Sequence, residues 1–312
     1  MNIQSIFNVV GIVLILLSGL LMIPIGVSLY FDSTPIEGYM SEIQAFTATL
    51  FCCLAAGMAL WKLLPSGVEK LRDREGFAIV TMSWLFIVLF GSLPFYLTGV
   101  CPEFIDSFFE SMSGFTTTGA SILIDIDAVP KGILFWRNLT QWVGGMGIIL
   151  LSLAIFPALG IGSFHLFKAE IPGGVTVERM QPRLAETAKI LWKTYVVLTF
   201  LEIVILRIGG MNLFDAICHT FSTVATGGFS PHNGSVGYFN NLFFEYVIIF
   251  FMFLGGVNFI LHFQLVTRNI KGVFQNPELR FYCTMIVIGI LIATWGLHQA
   301  SPDQGVGQSF RN

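Results

Sequence analysis

Seven apolar runs, at roughly 5–30, 42–64, 77–99, 134–159, 187–209, 240–266 and 280–298, alternate with short polar intervals along the chain. About 20 consecutive apolar residues carry a helix across a bilayer. Hydrocarbon leaves a spanning backbone no partner but itself, which restricts such segments to helices or closed barrels. Runs of this length predict an all-α polytopic membrane protein. The first run has no basic stretch before it, too long an apolar core and no small-residue cleavage site after it, so it reads as a retained helix rather than a secretory signal.

Two of the polar intervals break the pattern. FIDSFFESMSGFTTTGAS, from Phe104, returns without a gap as LFDAICHTFSTVATGGFS, from Leu213. At a constant offset of 109 residues (106 to 215), Asp106 pairs with Asp215, Ser113 with Ser222, Gly119 with Gly228 and Ser121 with Ser230. Each copy is short, half polar, flanked by long apolar runs, and ends in Thr or Ala followed by Gly. Each opens on an Asp, an N-cap type, which predicts a short helix starting at Asp106 and at Asp215. Such a helix dips part-way into the membrane and returns through irregular backbone, which is tolerated where it lines water. Backbone carbonyls there can replace an ion's hydration shell, and the negative C-terminal end of the short helix favours a cation. Gly119 and Gly228 supply backbone angles that a side chain resists. Thr117, Thr118 and Thr226 supply carbonyls, and their hydroxyls can tie the loop to its neighbours. The segments predict a cation filter; the bland alternative is a pair of ordinary interhelical turns.

Charge gives the orientation. Charged residues make up 11% of the chain against 54% hydrophobic, with mean hydropathy +0.77, where a soluble domain carries roughly 25% charged residues. The formal net charge of −3 leaves no basic field for nucleic acid. Lys62, Lys70, Arg72 and Arg74, then Lys168, Arg179, Arg183, Lys189 and Lys193, then Arg268, Lys271 and Arg280 all fall on one side. Lys131, Arg137, Arg207 and Arg311 fall toward the other. The positive-inside rule places the first side, and the N-terminus, in the cytoplasm, so both Thr-Gly segments face outward. Glu103, Asp106, Asp125 and Asp127 would concentrate cations at the outer mouth. The five scattered cysteines, Cys52, Cys53, Cys101, Cys218 and Cys283, suggest neither zinc nor a disulfide framework; most read as small buried hydrophobes.

The units are an N-terminal pair of helices at 1–70, a helix–pore loop–helix repeat at 71–166, a second at 167–272, and the start of a third at 273–312. SGFTTTGAS, WVGGMGI (Trp142 to Ile148), RLAETAK (Arg183 to Lys189) and TGGFSPH (Thr226 to His232) resemble the membrane subunit of the bacterial Trk/Ktr/HKT potassium transporters. The resemblance covers the whole chain. It implies two extra N-terminal helices and four repeats around one pore. It also implies potassium uptake across the bacterial cytoplasmic (inner) membrane, homodimers among the membrane lipid, and a cytosolic nucleotide-binding regulatory partner. Carried over by position, the potassium-coordinating residues are Thr117 and Thr118 in the first loop and Thr226 and Gly227 in the second, with Gly119 and Gly228 beside them. The family has four such loops and this chain has two, ending at VGQSFRN just before a third filter; the expectation is a truncated product.

Other residues keep two readings. Gly144, Gly145 and Gly147, like Gly255 and Gly256, are bends that let a gate move or small residues for close packing. Glu202 and Arg207 are an intramembrane relay or an ordinary pair with a snorkelling arginine. His219, His232 and His262 lack ligand spacing and read as polar core or surface residues. The basic 168–193 segment docks a cytosolic partner or is a plain positive-inside loop. An ion-coupled carrier built on broken helices and an intramembrane enzyme are the rival classes. No inverted repeat supports the first, and no catalytic constellation supports the second.

Overall fold

The computed structural model describes residues 3–31, 34–64, 73–147, 181–266 and 270–300, and helices are the regular structure throughout them. Lys70, Arg72, Lys168, Arg179, Arg268, the second half of the run at 134–159 and the VGQSFRN terminus lie outside the described residues, as do the side chains of Arg74 and Arg183. The described chain divides into two units, 1–255 and 256–312.

In the first unit, α1 (Ile3–Leu20) and α2 (Met22–Phe31) form one apolar span with a break at Leu21. Next come α3 (Glu42–Leu63), α4 (Asp73–Gly91) and the short α5 (Leu93–Leu97). Ser41 starts α3 through a capping box with Gln44, which satisfies two otherwise orphaned N–H groups. Pro94 has no N–H to give, and the span Glu75–Leu97 is interrupted at Ser92 just before it. α1 crosses α3 where Gly11 faces Gly57. A Cβ on Gly11 would lie 2.7 Å from the Gly57 carbonyl oxygen, and one on Gly57 would lie 2.8 Å from that of Gly11. Small residues on both sides are what allow two membrane helices this close. Asn8, one turn earlier, donates to the carbonyls of Trp61 and Leu64 at 2.8 and 2.9 Å, satisfying the end of α3.

Two short helices then dip in. α6 (Phe104–Phe115) and α9 (Leu213–Val224) keep the 109-residue offset at both ends. α7 (Lys131–Gly145) follows the first and α10 (Leu242–Gly256) the second, while α8 (Gln181–Ile208) precedes α9. α6 and α9 both pack on α7. Buried Phe46, Phe115, Leu134 and Trp136 belong to one core with α1 and α4, and the Trp136 indole donates to the Gly91 carbonyl at 3.0 Å. α7 itself is started by another helix: Glu42 Oε1 accepts from the N–H groups of Gly132 and Ile133 at 3.0 and 3.3 Å. An acidic group there also complements the helix dipole.

The unit at 256–312 holds α11 (Phe259–Val266), α12 (Ile270–Gln275) and α13 (Pro277–Ala300). Proline at the first helical position is pre-set for a helix start, and Asn276 Oδ1 accepts from Glu278 N at 2.9 Å. The sixth apolar run is therefore two helices, broken at Val257 and Asn258, where one continuous span was expected.

Candidate functional site

The two loops share one backbone conformation. Thr117 and Thr226 both have φ of +53°, and Gly119 and Gly228 have φ of +76° and +90°. Thr117 N–H bonds to the Gly114 carbonyl at 3.0 Å and Thr118 N–H to that of Ser113 at 2.9 Å. In the second copy Thr226 N–H bonds to Thr223 at 2.9 Å and Gly227 N–H to Ser222 at 2.8 Å, the same pairs shifted by 109. This crossed pattern is a Schellman closure, which normally places glycine at the left-handed residue. Here the residue is a threonine in both copies. A β-branched residue at positive φ is an outlier, costing roughly 1–2 kcal/mol, and such strain concentrates at functional sites.

The loops also touch. A Cβ on Gly119 would collide with the Gly227 carbonyl oxygen, so the first loop reaches the second only because position 119 has no side chain. The sequence-identified residues Thr117, Thr118, Gly119, Thr226, Gly227 and Gly228 thus belong to one assembly. Thr226 and Gly228 are exposed while Gly227 is buried behind them.

The expected helix starts need correcting. The N-caps are Glu103 and Asn212, and Asp106 and Asp215 are each the third helical residue. Asn212 Oδ1 accepts from Asp215 N at 2.9 Å, so the Asn212 amide takes the capping role there. The Thr hydroxyls do less than expected: Thr116 and Thr118 share a hydroxyl contact of 2.7 Å, while the ties that hold the loops come from elsewhere. Ser113 donates to the Ala120 carbonyl at 2.5 Å. From α7, Gln141 Oε1 accepts from Phe229 N at 3.0 Å, and Asn138 Oδ1 accepts from the Ser222 hydroxyl at 2.7 Å.

Arg137, which the charge pattern sets toward the other side from the cytoplasmic cluster, is buried within α7. Its Nε lies 2.6 Å from Glu110 Oε1, its Nη1 donates to the Ser230 carbonyl at 3.0 Å, and its guanidinium stacks 3.6 Å over the Phe229 ring. Glu110 also accepts from Ser121 Oγ and Ile122 N, each at 3.0 Å. One buried ion pair therefore ties α6, both loop exits and α7. The polar stripe Arg137, Asn138, Gln141 was the available signal: residues one turn apart on an apolar helix share a face.

After the second loop, His232 Nδ1 lies 2.8 Å from Asp127 Oδ1 and Nε2 lies 3.0 Å from Asp215 Oδ2. Its ring stacks on Tyr238 at 3.9 Å. Asn233 donates to Asp125 Oδ1 at 2.9 Å and accepts from Ile126 N at 2.7 Å. Asp125 and Asp127 are thus engaged in joining the segments that follow the two loops. The Asp127 carboxyl is held below its ordinary value, first by the hydrogen bond from His232 and then by the Asn233 N–H. His219, one turn beyond Asp215, is buried against Phe239, and His262 lies against Phe259. Among the described residues no group of three His, Cys, Asp or Glu is placed to hold a metal ion.

The remaining double readings divide as follows. Gly144 is pressed against the Phe115 carbonyl, and a Cβ on Gly145 would lie 2.7 Å from the Ala225 methyl. These glycines serve packing of α7 under both short helices, and Gly147, at φ +64°, follows the end of α7. A Cβ on Gly255 would lie 2.8 Å from the Val224 carbonyl oxygen. Glu202 is fully buried, while Arg207 is exposed and reaches the Met211 carbonyl at 3.4 Å. Five residues place them about 140° apart around a helix of 3.6 residues per turn, so they form no relay with each other. Cys53, Cys101 and Cys218 are buried, Cys283 is half-buried and Cys52 exposed.

The chain resembles proteins of known type along its length. It is 42% identical over 318 residues to the Trk system potassium uptake protein TrkH of Escherichia coli K12, covering 99% of this chain and 64% of that protein. It is 44% identical over 300 residues to the protein of the same name from Salmonella typhimurium, covering 94% and 60%. The crystal structure of the potassium transporter TrkH from Vibrio parahaemolyticus superposes with a TM-score of 0.81 at 35% identity, over 100% of this chain and 62% of that one. The chain therefore spans less than two thirds of the length of these relatives. Residues 42–295 match the family described as TrkH, cation transport protein, and with its paired pore-loop repeats the chain belongs to that family.

Proposed function

We propose that the chain forms part of a potassium uptake pathway in the bacterial cytoplasmic membrane. In this reading potassium is the transported ion, coordinated in transit by backbone carbonyls of the two loops. Thr117, Thr118 and Gly119 form one segment of the filter, and Thr226, Gly227 and Gly228 form the other. The observation that carries it is the shared backbone: two segments 109 residues apart adopt the same strained turn and meet at Gly119 and Gly227. Left-handed residues at alternate positions turn successive carbonyls toward one side, which suits them to replacing a hydration shell. The relatives' names, Trk system potassium uptake protein, supply the ion.

The same reading divides the chain into an N-terminal pair at 1–70, repeats at 71–166 and 167–272, and the opening of a third at 273–312. A second copy of the chain and a cytosolic nucleotide-binding regulatory subunit are its partners, with membrane lipid around the outer helices. The pathway holds no catalytic step. The test is uptake of rubidium, a potassium tracer, by a potassium-uptake-deficient bacterium expressing the gene that encodes this chain. Saturable uptake that excludes sodium is expected. Uptake no greater than in the empty strain, with the protein present in the membrane, would overturn the proposal.

A further inference from the structure

The second loop is held by a helix of the other repeat. Gln141 sits one turn beyond Arg137 and Asn138 on α7 and is completely buried. Its Oε1 accepts from Phe229 N at 3.0 Å, which fixes the orientation of the amide, because the backbone donor needs an oxygen. A Cβ on Gly227 would lie 2.5 Å from that same oxygen, so the amide lies flat against the loop. Asn138 accepts from the Ser222 hydroxyl, and the Ser222 carbonyl accepts from Gly227 N. Of the segment 227–229, α7 therefore holds the Phe229 N–H directly through Gln141, and the Gly227 N–H is held by Ser222, whose hydroxyl is tied to Asn138 one turn earlier on α7.

The second repeat does not return this grip. α7 and α10 are equal in length and 111 residues apart, so Arg137, Asn138 and Gln141 correspond to Ile248, Ile249 and Met252 of α10. All three are apolar, and Ile249 and Met252 are 58% and 50% exposed. The polar stripe is thus a property of one helix, not of the repeat.

We propose that Gln141 is a positioning residue that sets the cation discrimination of the second loop. It does so by holding Phe229 N–H and thereby the carbonyl geometry of Gly227 and Gly228. The proposal rests on the potassium-uptake reading above. Gln141 does not touch the ion; it acts through the backbone. Field and number of coordinating carbonyls decide selectivity, so a loop released at one N–H discriminates less well even while the fold persists.

The test compares Gln141→Met, which keeps length and bulk but removes the acceptor oxygen, with Gln141→Glu, which keeps an oxygen at the same reach. Two readouts are taken: the rubidium-to-sodium uptake ratio in cells expressing the protein, and hydrogen exchange of the peptide covering 222–232 in the protein solubilised in detergent. Gln141→Met should lower the uptake ratio by about three- to tenfold, the change expected for loss of one neutral hydrogen bond, and speed exchange in that peptide alone. Gln141→Glu should restore slow exchange and most of the ratio. Wild-type values of both readouts in Gln141→Met overturn the proposal, as does faster exchange without a change in ratio. If the unaltered protein takes up no rubidium, the uptake reading fails instead, and the selectivity role of Gln141 falls with it. Should Gln141→Met not accumulate, Gly227→Ala perturbs the same contact from the loop side. Gly227 is not in the left-handed region, so the amide of Gln141 is what the new methyl meets. An unchanged ratio in Gly227→Ala would equally overturn the proposal.

Discussion

Glu110 and Arg137 form an ion pair 2.6 Å long in which both side chains are within 1% of complete burial. Isolated, either charge would be prohibitively costly inside a membrane protein. Here each group has several partners. The carboxylate also takes Ser121 Oγ and Ile122 N, and the guanidinium takes the Ser230 carbonyl and the Phe229 ring. The residues that follow both loops, Ser121 and Ile122 in one and Phe229 and Ser230 in the other, rest on this pair, so it acts as their common abutment.

Removing one partner should be far worse than removing both. Arg137→Ala is expected to cost about 3–5 kcal/mol of stability, because it strands a buried carboxylate. Arg137→Met combined with Glu110→Gln should cost much less than the two single changes added. Chemical denaturation in detergent, arranged as a double-mutant cycle, measures this. Additive losses would show that the two side chains are not coupled.

The two loop glycines should differ. Gly228 has φ of +90° and open space where a Cβ would go, so Gly228→Ala meets only backbone strain, roughly 1–2 kcal/mol. Gly119 has φ of +76° and faces the Gly227 carbonyl. We expect Gly228→Ala to leave reduced but measurable rubidium uptake and Gly119→Ala to leave none, at equal protein levels. Equal residual uptake would contradict the contact between the loops.

The outer clasp predicts an acid sensitivity. The Asp127 carboxyl lies below its ordinary value of 3.8 in the folded protein, chiefly because His232 donates to it. A depressed carboxylate stabilises the fold above that value, and the contribution disappears as pH falls through the lower, folded-state value. Between pH 5 and pH 3, wild type should therefore lose more thermal stability than Asp127→Asn, which has no proton to take up there. Parallel loss in the two proteins would rule out the clasp as an acid-sensitive contact. Asp127 is largely solvent-facing, so screening keeps the difference small.

Topology can be checked by labelling. Cysteine placed at Asp125 should react only with reagent added outside, and cysteine placed at Lys62 only with reagent admitted to the cytoplasm. Cys101, a buried native thiol between α5 and α6, is pushed up to about 12, mainly by burial, which keeps it in the poorly reactive thiol form. The opposite pattern of accessibility would invert the orientation and remove the acidic residues from the outer mouth.

The apolar runs alone determined that this chain is helical and membrane-embedded, because a spanning backbone has no partner but itself. The gapless repeat singled out both loops, with Gly119 and Gly228 at matching places, because a backbone conformation that needs Gly at a fixed place leaves that Gly in the sequence at fixed spacing. What pairs with what was not visible. Arg137 reads as a charge toward the outer side until α6 brings Glu110 to it, 27 positions earlier in the chain. His232 reads as a lone histidine until the fold supplies Asp127 from 105 positions away. Glu202 and Arg207, close in sequence, end on different sides of one helix. The Thr at +53° in each loop likewise belongs to the tertiary structure, since threonine's own preference runs against it. Local pattern specifies which segments are buried and where the backbone must bend. Only the packed helices specify which distant polar groups complete one another, because a buried charge or N–H is satisfied by geometry rather than by proximity along the chain.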